Sequence, residues 1–256
     1  MKTGDSDTAY AGAVPVLEIT DLKKVREKGG MRFELHVPSF SVHAGEFVAV
    51  VGESGCGKST LLDILGLVLR PDSVGRFLLK VRTRREAANL AAVSEDGLSI
   101  CRRRDIGYVM QSGGLLPYLN VLDNIALPCR INAWPDTPAL KRARYLAGTL
   151  GISGHLDKKP AFLSGGQRQR AAIARALVHM PGLVLADEPT AAVDHLTACE
   201  VRDAFQRAAA EQATAVVLVT HDGNLIRGRV DRTVTFALEK QQRGHVMSTL
   251  TEAVNA

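Results

Sequence analysis

Long apolar runs are missing from this 256-residue chain. The longest, at residues 48–51, 65–69 and 213–219, fall far short of the roughly 18 residues that a membrane-spanning helix requires. The sequence therefore predicts a chain that does not cross a bilayer. The first 14 residues carry two Asp, two Gly and only a brief apolar patch, without the basic start and apolar centre of a secretory signal, so the expected location is cytosolic. Cysteine is scarce: Cys56, Cys101, Cys129 and Cys199 lie far apart with no C-x-x-C pair, which argues against a zinc site or a disulfide framework and leaves reduced thiols. Net charge is a modest +5, although Arg82, Arg84, Arg85 and the run Arg102, Arg103, Arg104 concentrate it locally. Such a cluster is read either as a solvated face or as a contact for acidic lipid or a partner loop. Internal repeats and low-complexity tracts are also missing.

Apolar material is ample: 46% of the residues are hydrophobic, enough to bury a sizeable core in one domain with subdomain lobes. The runs at 47–51, 183–186 and 216–219 are short, aliphatic or β-branched, and end abruptly at polar residues, as strands buried on both faces of a parallel sheet do. Helical patterns follow them at 58–69, 196–212 and 224–229. Strand then helix, repeated, predicts an α/β fold with a mainly parallel sheet. Residues 32–37 alternate, with Phe33, Leu35 and Val37 on one face and Phe40 and Val42 continuing the pattern, which predicts a smaller antiparallel β lobe beside the core. From about 112 to 164 the chain turns helical, at 121–127 and 139–150, punctuated by Pro117, Pro128, Pro135, Pro138 and Pro160, and reads as an inserted α-helical lobe. The expected organisation is a flexible N-terminus over 1–14, one domain over 15–240 and a C-terminal tail over 241–256.

The segment Gly52-Glu53-Ser54-Gly55-Cys56-Gly57-Lys58-Ser59-Thr60 follows a predicted strand and opens a predicted helix, the context that G-x-x-x-x-G-K-[ST] requires. Its glycines let the backbone curl so that successive N–H groups point at phosphate oxygens, and the helix adds the positive end of its dipole. Lys58 would reach the β- and γ-phosphates of a bound nucleotide, and the Ser59 hydroxyl would supply one ligand to Mg²⁺. This motif alone leaves several classes of P-loop enzyme open. Cys56, inside the cradle, reads first as a plain filler residue; the alternative is a thiol that the dipole and Lys58 lean toward thiolate.

A second buried strand ends in Asp187-Glu188-Pro189, at the carboxyl edge where α/β folds bind ligands. Asp187 is suited to hold Mg²⁺ through water, and Glu188 to act as general base on the attacking water. Burial explains the strand but leaves the acids unexplained.

Further along, Leu163-Ser164-Gly165-Gly166-Gln167 resembles the signature motif of the ABC ATPases, followed by Arg168-Gln169-Arg170-Ala171-Ala172-Ile173-Ala174-Arg175-Ala176-Leu177. Read physically, Ser164 with Gln167 three residues on is a capping box that starts a helix. Gly165 and Gly166 leave the helix-end N–H groups open to an external anion. The resemblance covers about 17–238 and implies a P-loop NTPase core that hydrolyses ATP with Mg²⁺. It implies that the anion is the γ-phosphate of ATP held by a second copy of the chain, so that two copies close head to tail. It also implies integral membrane permease partners on the cytoplasmic face of the membrane. The rest of the pattern is carried over residue by residue: Gln111 resembles the Q-loop glutamine that ligates Mg²⁺, Asp194 the D-loop aspartate of the dimer interface, and His221 the switch histidine that contacts the γ-phosphate. Within the family, Leu115-Leu116-Pro117, Val121-Leu122-Asp123-Asn124-Ile125 and Leu127-Pro128 look most like the lipoprotein-releasing and macrolide-exporter type. The coiled-coil or zinc-binding insertions of nucleic-acid ATPases are missing between the two nucleotide motifs, so no nucleic-acid partner is expected. The sequence departs from the family at Val25 and Arg26, where an adenine-stacking aromatic is usual; Arg26 or Phe33 would take its place. Residues 82–94 are more basic and helix-like than the pattern leads one to expect.

Overall fold

A computed structural model describes residues 13–80, 87–191, 193–241 and 245–253. Three of the clustered arginines, Arg82, Arg84 and Arg85, lie outside the described residues. The chain starts with β1 (Leu17–Lys28) and β2 (Met31–Val42), joined across Gly29 and Gly30 at φ 60° and 77°. Two consecutive positive φ values are what a two-residue hairpin turn needs, and glycine adopts them without strain. The predicted alternation does not run unbroken through β2. Buried positions shift from Leu35 and Val37 to Phe40 and Val42, and on β1 from Leu17 and Ile19 to Leu22. The phase break lies where Asp21 takes φ 46° on β1 and Pro38 interrupts β2.

Four parallel strands form the centre: β3 (Phe47–Val50), β6 (Ile106–Val109), β7 (Leu183–Asp187) and β8 (Ala215–Val219). Their alternate residues feed two cores. Phe47, Ala49, Val184, Ala186, Val216 and Leu218 pack on the helical side, whereas Val48, Val50, Leu183, Leu185, Val217 and Val219 pack on the other. Burial of both faces accounts for the uninterrupted apolar runs read from the sequence.

The predicted antiparallel β lobe is present, and it forms one end of a single ten-stranded sheet. The other strands are β4 (Arg76–Leu79), β5 (Ala88–Asn89), β9 (Arg232–Gln241) and β10 (His245–Glu252), and the order is β5-β4-β1-β2-β10-β9-β3-β8-β7-β6. The join is β10, parallel to β2 and antiparallel to β9. Residues 245–252, read as tail, are therefore an interior strand.

Helix α1 (Lys58–Leu65) is shorter than the predicted 58–69. Leu67 turns to φ 59°, and the Val68 N–H bonds the Asp63 carbonyl at 2.9 Å, which closes the helix although its apolar pattern continues. The helix-like stretch 82–94 holds, where it is described, β5 and a 3₁₀ turn at Leu90–Ala92, with α2 (Glu95–Asp105) beginning only after the Ser94 cap. Helix α3 (Val121–Ile131) runs through Pro128, predicted as a stop, and α4 (Asp136–Thr149) follows. These two pack with α5 (Gly165–Leu177) in the helical core. The remaining helices are α6 (His195–Gln212) and α7 (Gly223–Ile226). Among the described residues no helix is long and apolar enough to cross a membrane.

Candidate active site

The loop after β3 curls over a cleft of about 580 Å³ lined by Gly52, Glu53, Ser54, Gly55, Gly57, Lys58, Ser59 and Thr60, with Glu188 and His221 across from them. Gly57 caps α1 at φ 110° with no side chain on the first helical N–H groups. By contrast, Ser94, Asn120, Ser164, Asp194 and Asp222 cap α2, α3, α5, α6 and α7 with side-chain oxygens. The donors at the start of α1 thus stay free for an anion. The buried Lys58 Nζ donates to the carbonyls of Gly52 and Glu53, both at 2.7 Å, which holds its charge beneath the loop.

The surroundings of Cys56 favour the filler reading. The residue points down into the core, where a Cβ on Gly52 would meet its Sγ at 2.7 Å, and burial pushes its thiol up despite the opposing charge of Lys58. Desolvation outweighs the dipole, so the side chain sits as a small apolar filler under the loop. The Cys56 carbonyl accepts a hydrogen bond from Ser248 Oγ of β10 at 2.5 Å, which ties the phosphate loop to the strand misread as tail.

At the end of β7 the carboxyl of Asp187 is raised above the usual range by burial and by the neighbouring carboxylates Glu188 and Asp63, with Lys58 and the Ser59 hydroxyl bonded to it working the other way. Unbalanced negative charge beside a serine hydroxyl is a donor set that fits a hard divalent cation such as Mg²⁺. Glu188 occupies the left-handed region at φ 43°, its N–H bonded to the Val219 carbonyl at 3.0 Å, and its carboxylate lies 3.4 Å from His221 Nδ1. Both side chains reach the cleft, His221 being the more exposed.

Phe33 and Arg26, paired in register on β2 and β1, form the outer wall of the cleft. A Cβ on Gly57 would meet Phe33 Cζ at 3.2 Å, so the ring lies directly over the loop. Asp63, within 4.0 Å of Arg26, escaped the sequence reading. Its position one helical turn after Ser59 was the signal available.

Other predicted residues stand apart from this cleft. The Ser164 capping box forms as expected: Gln167 N–H donates to Ser164 Oγ at 3.2 Å and Ser164 N–H to Gln167 Oε1 at 2.9 Å. Gly165 and Gly166 open the first turn of α5, and a Cβ on Gly166 would meet Thr197 Cγ2 at 2.8 Å. Thr197 in turn bonds Asp194, which caps α6 through the Thr197 N–H at 3.0 Å and the Thr197 hydroxyl at 2.8 Å. The Ser164–Gln167 segment and Asp194 thus form one cluster, and none of these residues lines the cleft. Gln111 is also absent from the lining; it sits in an exposed turn closed by the Gly113 N–H and the Met110 carbonyl at 2.8 Å.

The chain is similar to known proteins along most of its length. The model of the family described as ABC transporter matches residues 35–191. The lipoprotein-releasing system ATP-binding protein LolD of Pseudomonas fluorescens is 39% identical over 241 residues, covering 91% of this chain and 97% of that protein. LolD of Bordetella pertussis is 42% identical over 219 residues, covering 85% and 91%. The macrolide export ATP-binding/permease protein MacB of Syntrophobacter fumaroxidans is 38% identical over 214 residues, covering 81% of this chain and 28% of its own length. Among solved structures, the dimeric post-hydrolysis state of the ATP-binding cassette MJ0796 bound to ADP and Pi superimposes with a TM-score of 0.75 at 31% identity, covering 90% of this chain and 96% of that one.

Proposed function

The chain belongs to the ABC transporter family, and we propose that its two clusters are the halves of a composite ATPase site completed by a second copy. It is an ATP-binding, ATP-hydrolysing subunit of that family. The cleft would hold the nucleotide, with the loop amides and Lys58 on its phosphates and Phe33 and Arg26 beside the base. Ser59, Asp187 and, once its loop swings in, Gln111 would hold Mg²⁺, which supplies charge neutralisation between the β- and γ-phosphates. Glu188 orients the attacking water and takes its proton, and His221 fixes the Glu188 carboxylate and faces the γ-phosphate. Ser164, Gly165, Gly166 and Gln167 would meet the γ-phosphate of the opposite copy, with Asp194 beside them at the interface, in a head-to-tail dimer.

The observation that carries this reading is the separation itself: a phosphate loop with base and metal donors on one face, and a glycine-opened helix tip with its supporting aspartate elsewhere on the same protomer. One chain holds both halves and brings them together only with a twin. Dimer closure around ATP would drive integral membrane permease partners at the cytoplasmic face, a coupling for which the ATP-binding/permease name of the MacB relative speaks, through a helical lobe near 112–164. Nucleotide titration tests the site: Lys58→Ala should lose MgATP affinity by at least tenfold, since it removes the buried cation of the cradle. Unchanged binding by that variant would contradict the assignment.

A further inference from the structure

Arg175 has no role in the site described so far, yet its surroundings are unusual for an arginine. It lies on α5, ten residues along from the first signature glycine. Its Nη1 donates to the Gly114 carbonyl at 2.7 Å and its Nη2 to the Gly113 carbonyl at 2.9 Å. Both glycines take positive φ, 75° and 58°, and that backbone path is what turns two successive carbonyls onto one guanidinium. The planar fork of arginine matches two parallel acceptors in a way the ammonium of lysine does not. Among the described residues no carboxylate pairs with it, and burial alone pulls its guanidinium below the ordinary value. A half-buried cation held by two backbone carbonyls gives up part of its hydration for that one contact, which points to a reason beyond packing.

That reason lies in what the carbonyls belong to. Gly113 closes the turn that holds Gln111, and a Cβ on Gly113 would meet Ala172 and Gln169 of α5 at ordinary contact distance. Helix α5 begins at the Ser164 capping box, so a single rigid element of about 15 Å joins the guanidinium to the signature glycines. Resting on the composite-site reading above, we propose that Arg175 is a positioning residue that locks the Gln111 turn to the signature helix, so that movement of Gln111 toward a metal-bound nucleotide carries the tip of α5 with it. The residue touches neither nucleotide nor metal. It converts occupancy of one half-site into orientation of the other half-site on the same chain, and both sites would then respond to MgATP as one unit.

The proposal separates binding from turnover. Arg175→Met should leave the affinity of the protomer for MgATP within about twofold, because the cleft is intact, while kcat falls at least tenfold, the order expected when a charge-assisted bidentate contact is lost from a step after binding. Arg175→Lys keeps the charge and one contact, and should recover part of that loss. A merely structural arginine would instead lower binding and kcat together with thermal stability, and that outcome overturns the proposal. Should the variants fold poorly, amide hydrogen exchange on the unsubstituted protein decides, at concentrations where it stays monomeric. Adding MgATP should slow exchange at residues 111–114 and 168–176 together, and ATP with a chelator should slow neither. Slowing at 111–114 with no change in 168–176 would refute the lock. Failure of the composite-site reading itself has a different signature, namely MgATP binding that survives Lys58→Ala, which no result at Arg175 can mimic.

Discussion

The carboxylate of Glu188 lies 3.4 Å from Nδ1 of His221, while the backbone of Glu188 itself is held at φ 43°. A β-carbon in the left-handed region costs roughly 1–2 kcal/mol, so the chain maintains strain at the residue best placed to activate water. The Val219 carbonyl, bonded to the Glu188 N–H at 3.0 Å, fixes that conformation from the neighbouring strand β8. Strain of this kind aims the side chain out of the sheet edge and into the cleft.

Two variants that both lack the carboxylate test the strain. Glu188→Gly should be more stable than Glu188→Ala by about 1 kcal/mol, since glycine relieves the positive φ. Thermal melts of the pair read this directly, and an alanine variant at least as stable as the glycine variant would contradict it.

The helix tip offers a second test. Gly166→Ala places a methyl 2.8 Å from Thr197 Cγ2 and should destabilise the fold by about 1–3 kcal/mol through overpacking. Combining it with Thr197→Ser, which removes the obstructing methyl and keeps the hydroxyl bonded to Asp194, should recover most of that loss. No recovery in the double variant would mean the contact is not the cause.

A third prediction concerns acid. Burial lowers His179 to about 4, from an ordinary 6.5, with its Nε2 bonded to the Ile106 carbonyl at 3.2 Å. The unfolded chain then binds the proton first, so stability is full above pH 6.5 and falls as pH drops from 6.5 toward 4, by an amount on the order of 3 kcal/mol. His179→Gln should flatten the loss of melting temperature between pH 7 and pH 5. An unchanged slope would assign the acid sensitivity to other groups.

Thiol chemistry gives a fourth. Cys56 is buried with its pKa raised, whereas Cys199 is partly exposed on α6. Because thiolate fraction and access both govern alkylation, iodoacetamide should label Cys199 before Cys56, with ATPase activity retained during the first phase. Labelling of Cys56 first would show that the loop is far more open than its packing implies.

Much of this arrangement was legible in the sequence because single residue types have few other uses in those contexts. A lysine after three spaced glycines, two acids ending an apolar run, and Ser164 with Gln167 each pointed to one local geometry, and the structure builds those geometries. Missed features depend on partners distant in sequence. The alternation over 245–252 is too weak to mark a strand until β2 and β9 flank it. Helix α1 ends at Leu65 although Leu67, Val68 and Leu69 continue its apolar character, because a left-handed Leu67 closes it. Arg175 looks like any helical arginine until the two glycine carbonyls of a remote turn are seen to converge on it.

The account stands most directly on one measurement, sedimentation of Glu188→Gln with and without MgATP. Removing a general base typically slows hydrolysis by about 10²- to 10⁴-fold without removing the contacts that hold substrate. The variant should therefore accumulate as a dimer with saturating MgATP and return to monomer when the nucleotide is withdrawn. A Glu188→Gln protein that binds MgATP fully and still sediments as a monomer would contradict the composite site.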